Sequence, residues 1–174
     1  MDDINSTLNR LLQANDPDNA RAVGEIRHGF RVAGCNLLLP QGTPCELASR
    51  QNICHLPDSP PWFAGFINHR GHAVPIYDLD LFFDESSPSP PVNQDFWILL
   101  LGSHPGTAGL IIHVLPSVLS DLSPDESGGE EGLPPGLSSL TTATWRQGDE
   151  RWHEIDPGAL LEQLKTHFQT TPKQ

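Results

Sequence analysis

Three cysteines and eight histidines are the first groups in this 174-residue chain that could bind a metal. Cys35, Cys45, Cys54 and the adjacent His55 would offer a zinc ion thiolate and imidazole ligands. Nine and eight residues separate the cysteines, whereas structural zinc sites usually draw ligands from close pairs. An odd number of cysteines without an export signal instead favours reduced, partly buried thiols that pack as small apolar side chains. We therefore expect no metal and no cofactor.

The chain also carries 22 carboxylates, which together with histidine and cysteine could supply an acid, a base or a nucleophile. None of the spacings that organise such groups is present: there is no Gly-x-x-x-x-Gly-Lys, no His-Glu-x-x-His and no Gly-x-Ser-x-Gly. Cys54 and His55 are neighbours in an extended segment, so their side chains would point to opposite faces. The sequence therefore predicts a protein that is not an enzyme.

A hairpin predicted between residues 63 and 76 is the most informative segment. Apolar residues precede and follow the sequence Asn68-His69-Arg70-Gly71, and Asn and Gly are residue types that adopt left-handed backbone angles in turns. Arg70 in this turn is placed where its guanidinium can reach a neighbouring carboxylate. Pro75 in the second strand cannot donate to a sheet ladder, which predicts that this strand lies at an edge or a bulge. Partners dock at such edges.

The elements that must position this hairpin are mainly strands. Apolar runs predict strands near residues 30–39 and 45–48, a buried antiparallel pair at 96–101 and 108–115, and a last hairpin at 140–146 and 151–155. Asp156 followed by Pro157 predicts a helix start. The apolar face of that helix contains Leu160, Leu161, Leu164 and Phe168, and a second stripe of Ile4, Leu8, Leu11 and Leu12 predicts a short N-terminal helix.

Composition sets the expected boundaries. Residues 1–24 form an N-terminal extension, 25–170 one domain and 171–174 a tail. Within the domain, residues 84–93 are a proline-rich loop. Residues 121–136 are acidic and rich in Gly, Ser and Pro, which predicts a flexible surface loop.

The charge of the chain excludes several kinds of partner. Ten Lys and Arg against 22 Asp and Glu give a formal net charge of −12, so neither nucleic acid nor an anionic membrane surface is an expected partner. No apolar run approaches the roughly 18 residues of a spanning helix, and the N-terminus lacks the features of a signal peptide. We expect a cytoplasmic protein that does not insert into a membrane.

The order of these elements, with the segment from Leu56 to Leu79 at its centre, resembles the CheW-like domain from about Phe30 to Leu164. The resemblance implies two small interlocked five-stranded SH3-like β barrels, here with a short N-terminal and a C-terminal helix. It also implies that Glu46 faces Arg70 as an ion pair between strands of the first barrel. The chain departs from the family in two places: His113 stands where an aspartate is frequent, and Pro44 interrupts the strand before Glu46.

The resemblance implies a non-catalytic adaptor in signal transduction. Such a protein would couple the cytoplasmic tips of methyl-accepting chemoreceptors to the regulatory domain of a CheA-type histidine kinase, in chemotaxis or in pilus-driven surface motility. It would associate with membrane-anchored receptor arrays through these partners. The expected partner-binding residues are Glu46, Phe66, Asn68, His69, Arg70 and Gly71, and the residues expected to be structural are Pro75, Asp78 and Leu79.

Two alternatives remain open from the sequence. One is a sensory β domain that binds a small molecule or a metal between the barrels, near Trp62, Trp97 and His113. The other, within the adaptor class, is a decoy that binds the kinase but not the receptor. Binding to each partner alone separates the decoy from the adaptor, and tryptophan fluorescence against metabolites and metals tests the sensory domain.

Overall fold

The computed structural model describes residues 26–48, 52–84, 95–127 and 132–170. The predicted N-terminal helix, the tail and residues 85–94 of the proline-rich region lie outside these ranges. The described chain is mainly β. Its strands are β1 (Arg27–Val32), β2 (Cys35–Leu38), β3 (Cys45–Ala48), β4 (Phe63–His69), β5 (His72–Tyr77), β6 (Trp97–Leu101), β7 (Ala108–Ile112), β8 (Ser117–Leu119), β9 (Ser123–Pro124), β10 (Thr141–Gln147) and β11 (Glu150–Ile155), and its helices are α1 (Leu79–Phe83), α2 (Pro135–Ser138) and α3 (Pro157–Thr170).

The strands form two sheets, as the predicted fold class requires. Sheet A has the order β8-β1-β2-β11-β10-β9, and sheet B has the order β3-β6-β7-β5-β4. Sheet A thus joins the two ends of the described chain, through parallel pairing of β2 with β11, and sheet B is built from the middle. Sheet A has six strands where five were expected, because Ser123 and Pro124 of the acidic loop pair with β10.

The described core consists of three apolar clusters. The largest lies between the sheets and takes side chains from β1, β6, β7, β11 and α3, while sheet B and sheet A each keep a smaller cluster of their own. β6 contributes to two clusters, since Leu99 and Leu101 face the shared one and Ile98 and Leu100 face that of sheet B. This confirms the prediction that β6 is buried on both faces, which its unbroken apolar run indicated.

Helix α3 begins as its sequence predicts. The Asp156 carboxylate accepts a hydrogen bond from the backbone N–H of Ala159 at 3.0 Å, and Pro157 occupies the first helical position. Leu160, Leu161 and Leu164 are buried in the shared cluster. In the described ranges, none of the helices is both long and apolar enough to span a membrane.

The N-terminal strand predicted at residues 30–39 is instead a hairpin. Ala33 and Gly34 form its turn with φ of 49° and 73°, and Val32 pairs with Cys35. Alanine seldom adopts a positive φ, so its residue type gave no indication of a turn. The second strand of the pair, β2, ends before Pro40 as expected.

The acidic loop is more ordered in its described part than its composition suggests. Besides forming β9, it places the carboxylate of Asp125 against Arg146 at 3.1 Å and Arg151 at 2.9 Å. The backbone N–H of Asp125 also donates to the carbonyl of Thr144. Polar contacts therefore order a segment that has few apolar side chains to bury.

β5 as a whole is not an edge strand, although the sequence led us to expect an edge or a bulge at Pro75. β5 lies between β4 and β7, and the edge strands of sheet B are β3 and β4. Parallel pairing with β7 involves only Ile76 and Tyr77 of β5. At Pro75 the strand is paired only with β4. Because proline has no backbone N–H, it could not have donated a hydrogen bond to β7, and none is needed there.

Candidate functional site

The β4–β5 hairpin builds the centre of the candidate site. Its turn residues are Arg70 and Gly71, with φ of 53° and 82°, as a two-residue turn between right-twisted strands requires. Asn68 stabilises the turn by accepting a hydrogen bond from the backbone N–H of Gly71 at 3.0 Å. The left-handed residues are thus Arg70 and Gly71, and Asn68, for which we expected that conformation, lies in β4 instead.

The predicted ion pair between Glu46 and Arg70 is present. Nη2 of Arg70 lies 3.1 Å from Oε1 and 3.0 Å from Oε2 of Glu46. Glu46 belongs to β3 and Arg70 follows β4, so the pair joins the first and the last strand of sheet B. Both side chains remain open to solvent, with 45% of Glu46 and 70% of Arg70 exposed.

Three histidines surround this pair. Nε2 of His69 lies 3.6 Å from Oε2 of Glu46. The loop between β6 and β7 brings in His104, whose ring stacks on His72 with centroids 4.2 Å apart and on His69 at 6.1 Å. A pocket of about 330 Å³ opens beside them. Its lining includes Cys45, Glu46, His69, Arg70, His104 and Thr107.

The pKa values of two groups at the pocket are shifted by their surroundings. The pKa of His104 is lowered by desolvation and by the positive charge that His72, His69 and Arg70 place near it. Partial desolvation raises the pKa of the Cys45 thiol, although the residue as a whole is exposed, and this keeps the thiol protonated at neutral pH. The pocket therefore combines one permanent cation, one carboxylate and the imidazole rings of His69 and His104.

The other residues singled out from the sequence lie elsewhere. The half-buried ring of Phe66 contacts Phe63 edge-on at 5.3 Å and packs against the shared cluster, so it does not line the pocket. Asp78 caps α1 by accepting from the N–H of Leu81 at 3.2 Å. Burial raises the pKa of Asp78, and Leu79 is fully buried. Asp78 thus caps a helix and Leu79 lies in the core, and their assignment as structural residues stays a prediction.

No metal site forms from the candidate cysteines. All three are free thiols, with Cys35 half-buried and Cys45 and Cys54 exposed, so packing as small apolar groups describes only Cys35. Cys45 lies on edge strand β3, and Cys54 pairs with the backbone of Phe66 along edge strand β4. Among the described residues, no group of His, Cys, Asp or Glu has the geometry to hold a metal ion.

Of the residues named for the alternative sensory function, Trp62 is packed by protein. Trp62 is 5% exposed, and its ring packs against Tyr77, Phe82 and Phe168. His113 contacts the backbone carbonyl of Asp95 through Nδ1 at 3.4 Å. The pocket beside Arg70 is lined by neither of these residues.

Sequence reasoning missed His104 and Thr107. They follow β6 and precede β7, more than thirty residues after the turn, and only the pairing of the strands brings them to the hairpin. The antiparallel strands predicted at 96–101 and 108–115 require a turn between them, but nothing in the sequence of residues 102–106 indicates which side chains that turn would meet.

Comparison with known proteins agrees with this architecture. The family model of the CheW-like domain matches residues 28–165. A solved structure, that of the scaffolding protein TtCheW from Thermoanaerobacter tengcongensis, superimposes with a TM-score of 0.59 at 19% sequence identity, covering 76% of this chain and 89% of that one. A search of curated proteins gave no match. Since the family model covers most of the chain and the same fold is seen in a solved scaffold, the protein is a member of the CheW-like domain family.

Proposed function

We propose that this protein is a non-catalytic adaptor that couples chemoreceptors to a CheA-type histidine kinase. The surface around the Glu46–Arg70 pair binds the regulatory domain of the kinase, and a second surface binds the cytoplasmic tip of a receptor. The protein works in the cytoplasm, on receptor arrays that its partners anchor to the membrane. Membership of a family of chemosensory scaffolds supports this role.

The exposure of the Glu46–Arg70 pair is the observation that carries the proposal. An ion pair between exposed side chains contributes about 0 to 1 kcal/mol to stability, so folding gives little reason for its presence. Arginine is among the residue types that dominate binding energy at protein interfaces. Nε and Nη1 of Arg70 have no hydrogen-bond partner among the described residues, which leaves donors for a second protein.

The position of the pair suits docking. The pair links β3, one edge strand of sheet B, to the turn that follows β4, the other edge strand, beside an open pocket. Edge strands expose backbone groups that a partner can use. The turn that presents Arg70 is fixed by Asn68, so little conformational entropy of the backbone is lost on binding.

The test is titration calorimetry with the isolated regulatory domain of the chemosensory kinase from the same cell. We expect saturable binding that Arg70→Ala weakens at least about tenfold, in the range of an interface anchor. Glu46→Ala should weaken it less. The control is Arg31→Ala, because Arg31 forms an equally exposed ion pair with Glu150 at 2.7 Å on sheet A.

Each outcome bears on the proposal. A loss of affinity in Arg70→Ala that Arg31→Ala does not share supports the assigned surface. Equal effects of both substitutions would remove the surface from the proposal. Binding of the wild-type protein to neither the kinase domain nor a receptor-tip peptide would overturn the adaptor function, and binding to the kinase domain alone would identify the decoy.

A further inference from the structure

We propose that residues 1–25 of the chain cover an exposed apolar patch at the β1–β8 edge of sheet A. The patch consists of Ile26, Val114, Leu115 and Val118. It belongs to sheet A, whereas the surface assigned to the kinase lies on sheet B. The inference therefore stands independently of the proposed function.

The patch gathers most of the exposed large apolar side chains. Six such side chains are present among the described residues, and four of them lie on β8, within three residues before it, or directly before β1. Ile26 is 56% exposed and Val118 is 66% exposed. An edge strand that exposes apolar side chains is prone to unwanted association, and proteins commonly cover such an edge with another segment of the chain.

The pairing of the two strands defines the open face of this edge. Arg27 lies opposite Leu119, and both are buried. The next pair, His28 and Val118, is exposed. Ile26 directly precedes Arg27, so it lies beside the end of β8 and close to Val118. The patch is therefore continuous across the two strands at the point where the described chain begins.

The sequence of the N-terminal segment matches the patch in chemistry. Ile4, Leu8, Leu11 and Leu12 recur at helical spacing and form one apolar stripe. A helix this short is marginal in water, and most helical stability in proteins comes from packing an apolar face. The stripe therefore needs an apolar surface, and the segment that carries it enters the described chain at Ile26, inside the patch.

The connection is long enough for the stripe to reach the patch. Residues 13–25 link the stripe to Ile26, and these thirteen residues can span up to about 45 Å. Strand β1 has six residues and is about 20 Å long. A short tether also gives the attached segment an effective concentration in the millimolar range. The chain's own segment is thus favoured over a separate protein of similar intrinsic affinity.

Hydrogen–deuterium exchange of the full chain tests this docking, with the exchange rate read on fragments that contain residues 4–12. We expect exchange there to be at least about tenfold slower in the wild-type protein than in Val118→Asp, because that substitution alters the patch and leaves the segment unchanged. Ile26→Asp should have the same effect. The control is Leu47→Asp, because Leu47 is an exposed leucine on edge strand β3 of sheet B.

A reverse measurement changes the segment and leaves the patch intact. Leu8→Asp combined with Leu11→Asp should increase the binding of anilinonaphthalene sulfonate, a dye that reports exposed apolar surface. Thermal unfolding checks that each variant is folded. An unchanged dye signal in this double variant would contradict the docking.

The other possible occupants of the patch give distinct results. Protection of residues 4–12 that grows with protein concentration would assign the patch to a second copy of the chain. Protection that appears only after addition of the kinase regulatory domain or a receptor-tip peptide would assign it to that partner. Either result would overturn the inference, as would fast exchange in the wild-type protein or an equal loss of protection in Leu47→Asp. None of these results alters the adaptor function, which the calorimetric titration tests separately.

Discussion

The Glu46–Arg70 pair should contribute little to stability, and this can be measured directly. With 45% and 70% of the two side chains exposed, water and salt screen their attraction. A double-mutant cycle of Glu46→Ala, Arg70→Ala and both together should give a coupling free energy of about 0.2 to 1 kcal/mol from urea unfolding. Raising the salt concentration should reduce it further.

A buried ion pair on the other sheet provides the contrast. Arg27 is 6% exposed, pairs with Glu154, and lies over the ring of Trp145 at 4.9 Å. Arg27→Ala should lower the free energy of unfolding by about 3 to 5 kcal/mol, because it leaves a largely buried carboxylate without its charge partner. A coupling above about 2 kcal/mol for Glu46 and Arg70 that salt does not reduce would refute our reasoning. The pair would then be a structural link, and weaker binding of Arg70→Ala would reflect damage to the fold.

Two further predictions concern the rest of the domain. A Cβ on Gly29 would lie 2.3 Å from the buried ring of Trp152, so Gly29→Ala should destabilise the protein by about 1 to 3 kcal/mol in denaturant unfolding. The control is Gly106→Ala, which should change stability little because the nearest atom to its Cβ would be 3.5 Å away. Equal losses of stability in the two variants would contradict the packing around Gly29. Hydrogen bonds from Ser127 and Arg151 hold the pKa of Asp125 in the folded protein well below its usual range. Asp125 therefore contributes its full stabilisation above its unfolded pKa of about 4. This stabilisation is lost as the pH falls through the lower pKa of the folded state. Asp125→Asn should therefore lower Tm at neutral pH and flatten the acid limb of the Tm profile, and an unchanged acid limb would count against this role.

Features that depend on a few neighbouring residues were predictable. The hairpin around Arg70, the last hairpin and the start of α3 each follow from residue types within a short window, since turn chemistry and helix caps are local. The ion pair between Glu46 and Arg70 was predictable for another reason. It came from the resemblance to a family, because no local rule relates residues 24 positions apart.

Features set by tertiary structure could not be predicted. The short strands β8 and β9 carry too few residues for a periodic pattern, and they exist because an adjacent strand offers unpaired backbone groups. His104 joins the site only through the pairing of β6 with its neighbours. The interior position of β5 likewise depends on β7, whose parallel contact with it is two residues long.

The arrangement of the sheets has a consequence for biosynthesis. Every strand of sheet B lies between residues 45 and 112, whereas sheet A needs β8 to β11 to join β1 and β2. A nascent chain that has reached Ile112 holds a complete set of strands for sheet B. The face of that sheet which packs on Ile155 and Leu160 is still uncovered at this point. We expect the ribosome-bound chain to carry an exposed apolar surface until the last hairpin and α3 emerge, and chaperones that bind such surfaces would act in this interval.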